Sequence, residues 1–133
     1  MENLIEFHLD TRSGVPTYLQ LVQQVRQARR LGILQPGDQL PTVMAVVGSL
    51  AINPNTVLKA YRELDLEGLV HGRRGQGTFV SSELSPVPSV DVKALRSSLQ
   101  RWIERARAAG LDDENMAALF TDTVRPPGSR RAA

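Results

Sequence analysis

The stretch Asn53-Pro54-Asn55-Thr56-Val57-Leu58-Lys59-Ala60-Tyr61-Arg62-Glu63-Leu64-Asp65-Leu66-Glu67-Gly68, followed by Leu69-Val70-His71-Gly72-Arg73-Arg74-Gly75-Gln76-Gly77-Thr78-Phe79-Val80, decides the fold. Asn53 is a strong helix N-cap, Pro54 takes the first helical position, where its missing N–H costs nothing, and Gly68 lies just past the end. Between these signals Val57, Ala60, Tyr61 and Leu64 recur at helical spacing, which predicts one buried stripe. Two short strands, at about residues 69–71 and 78–80, then flank a glycine-rich hairpin over 72–77 with Arg73 and Arg74 at its tip.

Upstream of this stretch, Gln35-Pro36-Gly37-Asp38 is a turn by composition, and a helix over about 42–50 follows Pro41. An earlier helix starts after Thr17. Its Tyr18, Leu21, Val22, Val25 and Ala28 share one face, Gln20, Gln23, Gln24 and Gln27 are expected to face water, and Gly32 ends it. His8 reads as part of a flexible arm ahead of that helix, and His71 as strand or turn surface.

Helix, helix, sharp turn, helix and a two-stranded wing form the winged helix-turn-helix layout, in which the third helix enters the major groove and the wing follows the backbone or the minor groove. The side chains suit that geometry. Asn55, Lys59 and Arg62 fall off the buried stripe at i, i+4 and i+7, with Thr56 beside them. Asn pairs bidentately with adenine, Thr touches a thymine methyl or a phosphate, and Lys and Arg take guanine or phosphate oxygens. Free N–H groups at the helix start attract phosphate as well. A polar helix face alone is an ordinary solvated face, and arginines in a glycine turn are ordinary surface; it is their order along the chain that points to DNA. The expected contact set is Thr42, Asn53, Asn55, Thr56, Lys59 and Arg62 from the helices with Arg73, Arg74, Gly75 and Gln76 from the wing.

Composition narrows the alternatives. With 133 residues there is room for one small domain and an appendage, and none for a separate catalytic or sensing domain of usual size. Hydrophobic residues at 41% and charged residues at 23% match a soluble globular chain. No cysteine means no disulfide, thiolate metal site or Cys nucleophile, and two distant histidines argue against zinc. No phosphate loop, catalytic triad order or carboxylate pair suggests an enzyme, and no cofactor is implied. The acidic N-terminus lacks a signal-peptide layout, and the longest apolar run, 43–52, is half a membrane span, so a cytoplasmic protein without membrane contact is expected. A net charge of +2, spread evenly over the chain, names no partner.

Ser81-Ser82-Glu83-Leu84-Ser85-Pro86-Val87-Pro88-Ser89-Val90 reads as a linker. The expected organisation is therefore a DNA-binding unit over 1–80, a linker over 81–90, two helices over 91–124 and a disordered tail over 125–133. In the second part Leu95, Leu99, Trp102, Ile103 and Ala106 make one stripe and Met116, Leu119, Phe120 and Val124 another. Trp102 reads as a packing residue. Two helices of this size cannot bury both stripes against each other alone, and a second copy about a two-fold axis is the simplest cover. The fold class is thus mainly α with a small β wing: an N-terminal winged helix-turn-helix followed by an antiparallel two-helix dimerisation unit.

The residues Val15-Pro16-Thr17-Tyr18-Leu19-Gln20, Gly32-Ile33-Leu34-Gln35-Pro36-Gly37-Asp38-Gln39-Leu40-Pro41-Thr42-Val43, Asn53-Pro54-Asn55-Thr56-Val57, Lys59-Ala60-Tyr61-Arg62-Glu63-Leu64, Glu67-Gly68-Leu69 and Arg73-Arg74-Gly75-Gln76-Gly77-Thr78-Phe79-Val80 resemble the GntR family of bacterial transcription regulators over about residues 10–80. The short two-helix tail resembles the YtrA-like subfamily, whose members lack large effector domains, dimerise through those helices and often control neighbouring ABC transporter genes. That resemblance implies a repressor binding an inverted-repeat operator as a homodimer, with major-groove contacts from Asn53, Asn55, Thr56 and nearby Lys59 and wing contacts from Arg74 and Gly75. It names no effector. The chain departs from the family pattern at Met44, where an arginine that contacts DNA is usual, at Ala45 and Ser49, at Ala51 in place of a turn glycine, and at Leu58, basic in some members. Doing without a charge-assisted hydrogen bond to DNA costs roughly 1–3 kcal/mol per half-site. The rival reading is a degenerate winged-helix module that has lost specific DNA binding and pairs with another protein.

Overall fold

Thr42 and Asn53 each open a helix by the same device. The Thr42 hydroxyl accepts from the Ala45 N–H at 3.1 Å and the Asn53 side-chain carbonyl from the Asn55 N–H at 2.8 Å, satisfying donors that the first helical turn leaves free. The computed structural model describes residues 4–87, 91–125 and 128 and divides into two units, 1–90 and 91–133. In the first unit the elements are α1 (Thr17–Arg30), α2 (Val43–Leu50), α3 (Pro54–Leu66), β1 (Val70–Arg73) and β2 (Gly77–Val80). The second holds α4 (Val92–Ala108) and α5 (Asp113–Thr123).

The predicted stripes meet in one core. Leu21, Val22, Val25 and Ala28 of α1 pack with Val57, Ala60, Tyr61 and Leu64 of α3, with Val46 of α2, and with Leu34, Leu40, Val70 and Val80. Tyr61 is buried but not wasted: its hydroxyl donates to the Pro41 carbonyl at 2.5 Å, tying α3 to the residue just ahead of Thr42, and burial pushes its pKa upward. At the far ends of α1 and α3, the Arg26 guanidinium grips the Glu67 carboxylate, and that hydrogen bond raises the Arg26 pKa further.

β1 and β2 pair antiparallel in the register Val70↔Val80, His71↔Phe79, Gly72↔Thr78 and Arg73↔Gly77. The hairpin also gains a partner on its outer edge. Val80 N–H donates to the Asp38 carbonyl at 2.7 Å and Leu40 N–H to the Thr78 carbonyl at 2.8 Å, so the chain entering α2 lies along β2. The strands reach further out than the sequence predicts, and Arg73 ends β1 instead of sitting at the tip.

Two expectations are corrected. The segment holding His8 is no flexible arm: Ile5 and Phe7 are buried in the core, and Gln24 clamps the His8 backbone, accepting from its N–H at 3.1 Å and donating to its carbonyl at 2.7 Å. Gln20 and Gln24 accordingly do not simply face water. Gln20 does for Asp10 what Gln24 does for His8, accepting at 2.8 Å and donating at 3.0 Å, while Gln23 and Gln27 are exposed as expected. An amide side chain matches a peptide edge in both donor and acceptor, so a glutamine reads from sequence as polar surface yet closes a backbone pair once the chain returns alongside it.

Ala51 ends α2 in the left-handed region, at φ 54° and ψ 45°, where a Cβ crowds the following carbonyl. Relief of about 1–2 kcal/mol there outweighs the extra unfolded-state freedom of glycine, about 0.5–1 kcal/mol. Ala51→Gly is therefore expected to stabilise the first unit and raise its thermal midpoint by a few degrees; a lower midpoint in a calorimetric scan would contradict the strain.

Residues 81–87 of the stretch read as a linker run along the first unit. Ser81 is buried and its N–H donates to the Leu69 carbonyl at 2.9 Å, Leu84 packs on the core, and Gln35 exchanges two hydrogen bonds with the Val87 backbone at 3.0 Å. Residues 88–90, and all of the tail expected to be disordered except 125 and 128, lie outside the described residues.

In the second unit Asp91 caps α4 by accepting from Ala94 N–H at 3.0 Å. A capping box starts α5: Asp112 accepts from Asn115 N–H at 2.7 Å while the Asn115 side chain accepts from Asp112 N–H at 3.2 Å. Only Ala106 and Met116 are buried among the described residues of this unit. No helix among the described residues is long and apolar enough to cross a membrane.

Candidate nucleic-acid interface

Burying Val57, Ala60, Tyr61 and Leu64 turns the opposite face of α3 outward, where Asn55, Lys59 and Arg62 are exposed. Thr56 is half-buried at the edge. Asn53 is exposed too; one lone pair of its side-chain carbonyl serves the cap while its NH₂ group takes no part in it, and the Thr42 hydroxyl likewise keeps its proton and a second lone pair to offer. Asn55 contributes its backbone N–H to the cap and retains a whole side-chain amide, the donor and acceptor pair that matches an adenine edge.

Lys59 is placed by a partner that sequence periodicity does not reveal. Its ammonium lies 4.0 Å from the centroid of the Tyr18 ring, so a residue expected simply to back the α1 stripe also orients a cation on α3. In the wing, Arg73 stacks over Phe79 at 4.2 Å, which braces the strand pair and leaves Arg74, Gly75 and Gln76 as the exposed turn. Gly75 takes φ +74°, a conformation open to glycine at no steric cost.

Gln39 carries no local signal of its role. Its NH₂ donates to the Gln76 carbonyl at 3.0 Å, and a Cβ on Gly77, which sits at φ +123°, would stand 2.7 Å from that nitrogen. The wing tip is therefore held from the α1–α2 connection, and a side chain at position 77 would push the Gln39 amide aside and strain the backbone there. Among the described residues, the ion pairs are Arg26–Glu67, Arg107–Asp113 and Arg125–Asp122, so Lys59, Arg62, Arg73 and Arg74 keep their charge unneutralised by any carboxylate within 4.0 Å. No group of three or more described His, Cys, Asp or Glu side chains could hold a metal ion.

The expected dimerisation residues divide within the second unit. Ala106 and Met116 are buried, Trp102 and Ile103 are half-buried, and Leu95, Leu99, Leu119 and Phe120 are exposed. Leu99, Trp102, Ile103, Met116 and Phe120 line one open depression of about 390 Å³, while Leu95 lies outside it.

The family model for bacterial regulatory proteins of the gntR type matches residues 17–80, from the first residue of α1 to the last of β2. Beyond that match, the chain is 38% identical over 110 residues to the HTH-type transcriptional repressor YtrA of Bacillus subtilis, covering 81% of this chain and 84% of that one. The chain belongs to the GntR family. As a GntR member it is a winged-helix transcriptional regulator and not an enzyme. Solved structures agree: a protein described as a transcriptional antiterminator from Listeria monocytogenes matches with TM-score 0.61 at 27% identity, over 92% of each chain. YtrA from Sulfolobus acidocaldarius, a GntR-family transcription factor, matches with TM-score 0.53 at 28% identity, over 74% of this chain and 97% of that one. Both the repressor of Bacillus subtilis and the Listeria structure extend past the GntR match into the α4–α5 region, which is the length expected of a YtrA-like member.

Proposed function

We propose that this GntR protein is a sequence-specific transcriptional repressor that acts in the cytoplasm as a homodimer on an inverted-repeat operator. Each α3 enters a major groove and each wing meets the adjacent minor groove, with half-site centres about one helical turn apart, roughly 10 bp. The observation that carries the reading is the outward face of α3, where Asn55 and Arg62 are free and exposed while Tyr61 and Leu64 anchor the back. In this reading Asn55, Thr56 and Arg62 read base edges, Lys59 and the Asn53 amide reach bases or phosphates, and Thr42 meets the backbone. Arg73, Arg74, Gly75 and Gln76 form the wing contact.

Dimerisation is supported by the apolar surface that the second unit leaves open, with Leu95 62% and Phe120 57% exposed. Charge supports it too: α4 carries Lys93, Arg96, Arg101, Arg105 and Arg107 against Glu104 alone, whereas Asp113, Glu114 and Asp122 give α5 only negative charge. A two-fold pairing that seats α4 of one copy against α5 of the other sets basic helix against acidic helix twice over. The targets suggested by resemblance to YtrA-like regulators are the protein's own operon and a neighbouring ABC transporter operon.

Selection of bound duplexes from a randomised pool, followed by mobility shifts, tests the reading. A palindromic motif is expected. Arg74→Ala should weaken binding to every sequence alike and flatten the dependence of log K on log salt by about one unit for each phosphate that is no longer neutralised. An unchanged slope would remove Arg74 from the interface. Met44, 68% exposed on α2 where an arginine is usual in the family, favours a second reading as a protein-interaction module. Under it, selection yields no enriched motif and no specific shift at modest salt.

A further inference from the structure

We infer that Leu58 is a specificity-determining residue that seats the C5 methyl group of one thymine in each half-site, an inference that rests on the DNA-binding reading above. Leu58 is 42% exposed and takes no part in the hydrophobic core, although α3 offers that core a complete stripe of its own. It stands three residues after Asn55 and four before Arg62, so it lies about one turn from each, on the margin of the same outward face. Lys59 occupies the opposite margin, with its ammonium over the Tyr18 ring. Leu58 therefore presents an alkyl group between the Asn55 amide and the Arg62 guanidinium, with the exposed Asp65 two turns along the same side.

A branched alkyl group left in water on a reading face gains stability only when apolar surface covers it. In the major groove the base-edge group that is apolar is the thymine methyl; the other edges present donors and acceptors. Asn55 and Arg62 hold that face against the neighbouring edges by hydrogen bonds, which brings Leu58 to the depth of the methyl. At this position the chain presents an alkyl surface that reads a methyl, and its operator preference shifts accordingly toward an A·T pair at that step.

The test uses the full-length protein and the duplex it selects from a randomised pool, with each thymine in turn replaced by uracil, which removes the methyl and nothing else. At one thymine per half-site the wild type should lose about fourfold in affinity, the worth of one buried methyl, and about fifteenfold when both half-sites are changed. Leu58→Ala and Leu58→Gln should bind the thymine and uracil duplexes equally, and their melting curves should match the wild type because Leu58 is outside the core. A uracil scan that is flat for the wild type overturns the inference while leaving the regulator reading intact. So does a variant that keeps the thymine-to-uracil ratio. Failure to select any motif sinks both.

Discussion

Replacing Leu99 and Phe120 together by glutamate is expected to leave a monomer of 14.6 kDa and to lower operator affinity at least 100-fold. Both side chains line the open depression on the second unit, and both are about half exposed, so the substitutions put charge on the apolar surface that a second copy covers in the proposed dimer. The loss in DNA affinity arises without touching any residue that meets DNA. One winged domain offers a small, polar interface and binds weakly; linking two converts the second encounter into an intramolecular one, worth roughly 10²–10⁴ in avidity. Sedimentation reads the mass and a mobility shift reads the affinity. A variant that stays dimeric would place the interface elsewhere, and a monomer with full operator affinity would remove the need for two half-sites. Thermal unfolding of the first unit serves as the control, since its core contains none of the altered residues.

Asn55→Ala should relax base preference at one position in each half-site by about 1–3 kcal/mol, or roughly 5- to 150-fold per half-site, because the bidentate match to an adenine edge disappears. Stability should not fall with it. The group that completes the α3 cap is the Asn55 backbone N–H, which an alanine retains, and alanine is the better helix former. Asn53→Ala makes the contrast: it removes the cap acceptor and costs about 1 kcal/mol of stability. Binding measured against all four bases at each operator position separates the two effects. If Asn55→Ala leaves every preference unchanged, the outward face of α3 is not the reading face.

Much of the fold is legible because its signals are local. Asn53, Pro54 and Gly68 act on φ, ψ and hydrogen bonds within one turn of where they stand, and the apolar spacing in α1, α3 and α4 reflects the 3.6-residue repeat of a single helix. Asp112 likewise marks the start of α5 from the residue itself. The departures begin where two distant segments meet. Residues 4–8 look like an arm in sequence because so short a stretch shows no period of its own, yet Ile5 and Phe7 find a core that other elements build. Arg73 looks like a tip residue because glycine spacing marks a turn without fixing its register, and the register follows from Val70 and Val80 both needing burial.

The candidate site shows the same division. Sequence alone determined which face of α3 is polar, where that helix begins, and that a basic glycine turn follows it, since each depends on neighbours within a few residues. The tertiary structure alone decided that Tyr18 steadies Lys59 across 41 positions, that Gln39 holds the wing at Gln76 across 37, and that Gln24 pins His8 across 16. A side chain's type states what it can bond to, whereas its partner is chosen only when packing has brought two remote backbones to within hydrogen-bond or ring-stacking distance.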